Sequence, residues 1–283
     1  MLELTAPVVF AAFMWWFSTG VVLLLDGLPR TTFRWSLALS SLLALIGVAG
    51  IAQTAHDTTV AGAYIAFTAA LLVWGWQELA FLTGWITGPR RQACGAGCGG
   101  WRHFVHAVEA ILWHELAIIG AGLLIAAITW HAENAVALWT YAVLWVMRSS
   151  AKLNLFFGVR NLSEEFLPPH LAYLKCFFRR RRMNALMPVS VGAASVVVAL
   201  LVRQALDPSA GSAQTAGLLL VAALLALAVL EHVLMVLPLN ATALWHWAMR
   251  SHAAHDGADR RPAPLALAPA PAKLQPAARG PQD

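Results

Sequence analysis

Charged residues are scarce in this chain, and their scarcity excludes most classes of soluble protein. Asp, Glu, Lys and Arg make up 12% of the 283 residues, whereas a soluble domain carries about 25%. Apolar residues reach 59%, and the mean hydropathy of +0.66 agrees with that share. Lipid is therefore the expected solvent for most of the chain.

Cysteine and an N-terminal basic segment are also lacking. No Lys or Arg precedes Arg30, and a cleaved signal peptide needs a basic start, so the first apolar run is expected to remain as an anchor. Three cysteines are too few for a secreted disulfide framework. Cys94 and Cys98 are four residues apart in a Gly-rich stretch, and this spacing differs from that of a zinc ribbon. The sequence therefore predicts a flexible loop there.

Apolar runs of about 20 residues each cover most of the remaining chain, and about 20 residues are needed to cross the hydrocarbon core as a helix. Backbone groups must be paired within lipid, so each run should be helical. The predicted fold is an all-α polytopic membrane bundle of seven helices. Their predicted bounds are 4–25, 35–55, 59–83, 103–130, 135–157, 185–206 and 216–239.

The basic residues predict the orientation of these helices. Of the 19 Lys and Arg residues, 16 lie in the first, third and fifth connections or in the C-terminal tail, and the other connections contain none. Cytoplasmic loops carry the excess of Lys and Arg, so we expect the N-terminus outside and the C-terminus in the cytoplasm. The net charge of +5 does not indicate a nucleic-acid partner, because the basic residues do not form one water-facing surface.

The chain divides into a transmembrane domain over 1–249 and an Ala/Pro-rich tail over 250–283 that we expect to be disordered. The longest connection, 158–184, has a capping-box start at Asn161 and a second predicted helix from Pro169 to about Arg182. This connection predicts an amphipathic, polybasic segment on the cytoplasmic membrane surface. It either only holds the loop inside or docks onto a protein or anionic lipid through Glu164, Glu165, Lys175, Arg179, Arg180, Arg181 and Arg182.

Polar side chains inside the runs are the candidate functional residues, because ionisable groups are costly in a membrane. They fall at similar depths on helices three, four, five and seven, so we expect them to converge. Four carboxylates face two fixed cations, which would leave two negative charges uncompensated. The set is Glu78, His106, Glu109, His114, Glu115, Arg148, Lys152, Asn154, Glu231 and His232.

Several chemistries remain open for this cluster. It is a structural ion-pair network, a divalent-metal site, or a site where a histidine approaches the magnesium of a tetrapyrrole; transport is disfavoured because no internal repeat is visible. Bundle metal sites draw Glu and His from facing helices, and imidazole with carboxylate suits iron, zinc or manganese. The candidate metal ligands are Glu78, His106, Glu109, Glu231 and His232.

Three consecutive motifs carry a family resemblance. The runs RSSAKLN at 148–154, NLSEEFLP at 161–168 and LAYLK at 171–175 closely resemble the PuhE family of photosynthetic complex assembly proteins of purple bacteria. QELAFLTG at 77–84, the His106/Glu109 pair and the Glu231/His232 pair are also similar to that family. The resemblance extends to about residue 250 and fades in the tail.

The resemblance implies an assembly factor for the reaction centre and core light-harvesting complex in the inner (intracytoplasmic) membrane, with an influence on bacteriochlorophyll supply. Implied partners are membrane lipids, subunits of those complexes and other assembly factors. No catalytic residue is implied, and a non-enzymatic role is preferred. The alternative is a membrane-embedded, metal-dependent enzyme acting on a tetrapyrrole or another lipophilic substrate.

Overall fold

The computed structural model describes residues 2–95, 97–237, 245, 247 and 248, and this part of the chain is an all-α membrane helix bundle. The predicted tail over 250–283 lies outside the described residues. Short connections join the long helices, except between the third and the fourth and between the fifth and the sixth. The helices are α1 (Leu2–Asp26), α2 (Phe33–Thr54), α3 (Val60–Leu82), α4 (Gly100–Ile128), α5 (Val136–Phe157), α6 (Leu186–Ala205) and α7 (Ser212–Leu234).

Six of these helices are long and apolar enough to cross a membrane, and α5 is the exception. The second half of α5 carries Arg148, Ser150, Lys152 and Asn154, which lower its hydropathy. It nevertheless contacts α3, α4, α6 and α7. The protein is therefore a multi-pass membrane protein, while the count of seven spans and the outside N-terminus stay predictions.

The central helix of the bundle is α3, which contacts α1, α2, α4, α5 and α7. Its buried face is rich in small residues, including Ala63, Ala66 and Ala70. Small residues let helix backbones approach closely in a membrane, where packing replaces the hydrophobic effect between helices. Gly47 of α2 uses this proximity, because a Cβ there would lie 2.7 Å from the Ala69 carbonyl oxygen.

Helix α4 extends well past the end of α3. Its 29 residues correspond to about 43 Å at 1.5 Å per residue, compared with about 30 Å of hydrocarbon. The chain that follows α3 turns at Gly84, whose φ is +77°, and returns along the first half of α4. The Thr87 carbonyl accepts a hydrogen bond from the backbone N–H of His114 at 2.9 Å. A Cβ on Gly88 would lie 1.9 Å from the Glu109 carbonyl oxygen. Residues 85–95, the return segment, therefore pack against the first half of α4.

The connection 158–184 differs from the predicted amphipathic α-helix. It forms two short 3-10 helices, Glu164–Phe166 and Pro169–Phe177, and its apolar residues Leu171, Leu174 and Phe177 are buried against the ends of α3 and α4. His170 joins this segment to the end of α3, because its Nε2 lies 2.8 Å from the Leu82 carbonyl oxygen. Burial of the His170 ring lowers its pKa. The segment is therefore part of the bundle instead of a free membrane-surface helix.

The ends of this connection also correct the predicted caps. Asn161 does not start a capping box; its side chain donates to the Leu234 carbonyl at 2.7 Å and thus caps the end of α7. The predicted continuation to Arg182 is wrong, because the chain beyond Phe177 is extended and its Arg180 forms a parallel bridge with Val159. The first four basic residues after Phe178 remain exposed.

Candidate functional site

The first centre of the polar cluster is an ion pair between α5 and α3. Arg148 Nη2 lies 2.8 Å from Glu78 Oε2, with the two side chains 43% and 13% exposed. Arg148 also interacts electrostatically with Glu231 of α7. Glu231 Oε1 in turn accepts a hydrogen bond from Trp15 Nε1 of α1 at 2.8 Å. The Arg148–Glu78 ion pair and the Trp15–Glu231 hydrogen bond together involve α1, α3, α5 and α7.

A second ion pair lies one helical turn further along α5. Lys152 Nζ is 2.5 Å from Glu115 Oε1 of α4, and both side chains are about one-fifth exposed. Residues four apart share a helix face, so Arg148 and Lys152 present adjacent positive charges that bind one carboxylate from α3 and one from α4. This arrangement joins three helices through charge.

His232 lies in a separate hydrogen-bond chain between α5, α6 and α7. Its Nδ1 is 2.9 Å from the Ala228 carbonyl, which fixes the proton on that nitrogen in the neutral ring. Nε2 is then free to accept the Ser150 hydroxyl at 3.0 Å. Ser150 and Ser190 lie 2.9 Å apart, so the chain crosses from α7 to α6.

Asn154 extends this chain to the loop before α6. Its Oδ1 accepts from Asn184 Nδ2 at 3.0 Å, and Asn184 Nδ2 also donates to the Gly158 carbonyl at 2.9 Å. Asn184 Oδ1 accepts the Leu186 N–H at 2.8 Å and so caps α6. Both asparagines are buried, and their hydrogen bonds join the end of α5 to the start of α6.

The His114 side chain is enclosed, and its imidazole ring has no hydrogen-bond partner among the described residues. It is 1% exposed, and both ring nitrogens are unpaired. Its ring lies 4.5 Å from the Phe81 ring, tilted by 31°. A tetrapyrrole cannot reach this imidazole without displacing the surrounding helices.

Two predicted members lie outside the cluster, and this corrects the expectation that all would converge. Glu109 faces Arg90 of the return segment at 4.0 Å. His106 Nδ1 lies 3.4 Å from Cys94 Sγ and 3.2 Å from Cys98 Sγ. A helical wheel could have shown this, because His106 and Glu115 are nine residues apart, which places them about 180° apart on α4.

The charge imbalance expected from the sequence also changes with these positions. Glu78 and Glu115 are neutralised by Arg148 and Lys152. Glu109 pairs with Arg90 of the return segment. The remaining carboxylate, Glu231, accepts the indole N–H described above. The five proposed metal ligands therefore do not meet around one point.

The proposed docking residues lie at the end of the bundle where α4 begins. Glu164 lies 3.9 Å from Lys175 Nζ and 3.7 Å from Arg180 Nη2, which ties the two 3-10 helices to the extended segment. The exposed members of the set are Glu165, Lys175, Arg179, Arg180, Arg181 and Arg182. They form a basic edge at that end of the molecule.

Cys94 and Cys98, for which the sequence predicts a flexible loop, lie together with Cys176. Cys94 Sγ is 3.0 Å from Cys98 Sγ, and the Cys94 N–H donates to Cys176 Sγ at 3.2 Å. Burial and the neighbouring Cys98 and Cys176 thiols raise the pKa of Cys94 to about 11. The sequence signal was the pair His103 and His106 shortly after the two cysteines, which helical spacing places on one face.

Fold and site together define a multi-pass helical membrane protein with paired charges inside its helix bundle. The chain belongs to the family described as "Protein of unknown function (DUF3623)", whose profile matches residues 1–256. It is 41% identical over 247 residues to a Rhodobacter capsulatus protein described as an uncharacterized 30.4 kDa protein in the puhA 5′ region. That alignment covers 84% of this chain and 88% of the relative. No solved structure matches the chain.

Proposed function

We propose that this protein is an assembly factor for the photosynthetic reaction centre and core light-harvesting complex. The observation that carries the proposal is the Rhodobacter capsulatus relative, whose description places it in the puhA 5′ region. The motifs at 148–154 and 161–168 add the resemblance to the PuhE assembly proteins. The proposed location is the inner (intracytoplasmic) membrane of a purple bacterium.

Exposed charge within the bundle supports a role in holding partners. Arg148 is 43% exposed although it lies inside a helix of the membrane bundle, and Glu231 is also exposed. Ionised side chains in membrane helices face a partner or a water-filled opening, because contact with hydrocarbon is costly. A polar group of a partner helix or of a bacteriochlorophyll-type tetrapyrrole would be accommodated beside this pair.

The alternative is a membrane-embedded, metal-dependent enzyme acting on a tetrapyrrole or another lipophilic substrate. Two of the three carboxylates that it would use as ligands, Glu78 and Glu109, already face Arg148 and Arg90. A metal ion would have to displace these cations. The geometry therefore favours the non-enzymatic function.

The basic edge supplies the second proposed contact. Cytoplasmic leaflets carry anionic lipids, and each Lys or Arg near the surface contributes about 1 kcal/mol of attraction. Four consecutive arginines, Arg179 to Arg182, are exposed there. Anionic lipid headgroups, the reaction-centre and core light-harvesting subunits or another assembly factor are the proposed partners of this edge.

A deletion strain tests the proposal. We expect the absorption of the assembled core complex to fall on deletion and to recover with the wild-type gene or with the control Arg203→Gln, whose side chain is exposed near the end of α6. Arg148→Gln should accumulate in the membrane but restore less core complex. A deletion strain with normal core complex would refute the proposal, and accumulation of a pigment precursor would favour the enzyme instead.

A further inference from the structure

A compact group of sulfur and imidazole atoms lies where α4 begins, outside the charge network. Cys94 Sγ, Cys98 Sγ and His106 Nδ1 all lie within 4.8 Å of one another. His103 Nδ1 is 3.6 Å from Cys98 Sγ. No other group of three such side chains within this distance occurs in the described part of the chain.

The local backbone creates this group. Gly97 and Gly100 have φ values of +80° and +59°, a region that favours glycine because it has no Cβ. The chain can therefore reverse direction between Cys94 and the start of α4. His103 and His106 then project from the same face of the first helical turns, towards the cysteines.

We propose that Cys94, Cys98, His106 and His103 bind a zinc ion. Zinc prefers four tetrahedral ligands drawn from thiolate and imidazole, at about 2.3 Å for sulfur and about 2.0–2.1 Å for nitrogen. Tetrahedral angles at those bond lengths place two sulfurs about 3.8 Å apart and sulfur and nitrogen about 3.6 Å apart. The sulfur–nitrogen distances of 3.2 and 3.4 Å and the sulfur–sulfur distance of 3.0 Å need to open by less than 1 Å.

His103 would be the fourth ligand: its Nδ1 lies 3.6 Å from Cys98 Sγ, but it lies outside the group of three, so its ring must move towards Cys94 and His106 when the ion binds. Its ring packs against Phe156 at 5.5 Å and Phe177 at 5.2 Å, and these contacts hold it on the side of Cys98. Zn²⁺ replaces the thiol protons of the two cysteines, which leave as two H⁺. Cys176 supports the site from outside, since its sulfur accepts the Cys94 N–H at 3.2 Å.

A site closed by four protein ligands is structural, because no position remains open for a substrate. The zinc ion would attach the return segment after α3 to the first turns of α4. Cys176 and Phe177 belong to the connection between α5 and α6, so the same ion would stabilise the end of the bundle that carries the basic edge. This role is independent of the proposed assembly function.

The test uses the full chain, purified anaerobically in mild detergent and loaded with Zn²⁺ or with Co²⁺ as a spectroscopic probe. We expect one zinc per chain by metal analysis and a Co²⁺ spectrum with thiolate charge-transfer bands and tetrahedral d–d bands. Cys94→Ser, Cys98→Ser and His106→Ala should each weaken zinc binding by more than the roughly 10–100-fold cost of losing an outer-shell partner. His131→Ala, an exposed histidine in the connection between α4 and α5, is the matched control and should retain one zinc.

Three outcomes would overturn the site. The first is that wild-type protein takes up no zinc after anaerobic loading. The second is that the Cys94→Ser/Cys98→Ser double variant contains as much zinc as the wild type. The third is that mass spectrometry finds a disulfide between Cys94 and Cys98 in anaerobically purified protein. If a variant fails to fold, the Co²⁺ spectrum of the wild type still decides, because bands without thiolate character would exclude the cysteine ligands.

Discussion

Neutralising Glu115 should destabilise the bundle strongly, because Glu115→Gln leaves the Lys152 ammonium without its carboxylate. The two groups are 2.5 Å apart with side chains 21% and 23% exposed. Removing one partner of a buried ion pair costs about 3–5 kcal/mol, and an exposed pair contributes about 0–1 kcal/mol. For a pair that is about one-fifth exposed, we expect a loss of about 2–4 kcal/mol in the free energy of unfolding.

Glu109→Gln is the matched control on the same helix. Glu109 is 42% exposed and lies 4.0 Å from Arg90 Nη1, so its loss should cost about 0–1 kcal/mol. The double variant Glu115→Gln/Lys152→Met removes both charges together. Replacing a buried pair with uncharged groups is often neutral, so the double variant should recover most of the stability lost in Glu115→Gln.

The assay is reversible unfolding in mixed detergent, followed by helical circular dichroism, with membrane abundance as a second measurement. The reasoning is refuted if Glu115→Gln is no less stable than Glu109→Gln. It is also refuted if Lys152→Met makes Glu115→Gln still less stable, since the unpaired ammonium would then not be the cause.

Three further predictions concern packing and topology. Gly88→Ala should destabilise the protein by at least about 1–3 kcal/mol, because its Cβ would overlap the α4 backbone. Gly192→Ala, whose Cβ would meet open space, should stabilise α6 by about 0.5–1 kcal/mol. Thermal unfolding of the two variants in detergent compares these effects. Leu171→Ala, at a side chain that is 1% exposed, should cost about 2–5 kcal/mol and release the connection to limited proteolysis. A reporter active only outside the cytoplasm should be active when fused after Asp57 and silent after Arg182, and the reverse pattern would contradict the predicted orientation.

The extent of the helices could be read from the sequence because it depends on local properties. The run predicted over 59–83 is α3 at Val60–Leu82, and the run over 135–157 is α5 at Val136–Phe157. An apolar stretch of given length has few alternatives to a helix in lipid. The cost of charge in a membrane likewise identified Arg148 as a residue that needs a partner.

The choice of partners could not be read in the same way. Similar depths on four helices did not show which carboxylate pairs with Lys152. In the structure it is Glu115, because the rotation of each helix about its axis decides which side chains face each other. The predicted surface helix over 158–184 differs from the structure for a related reason. Its apolar residues suit a membrane surface as well as a protein surface, and only the packed ends of α3 and α4 provide the latter.

The sequence by itself therefore determined the helical class, the approximate bounds of the seven long helices in the described part of the chain and the residues that cannot remain alone in lipid. These follow from composition and hydrophobic length, which act over about 20 neighbouring residues. Only the tertiary structure decided which charges pair and that Cys176 lies beside Cys94, 82 residues earlier in the chain. Such contacts depend on how α3, α4 and the connection between α5 and α6 pack, and no local pattern contains that information.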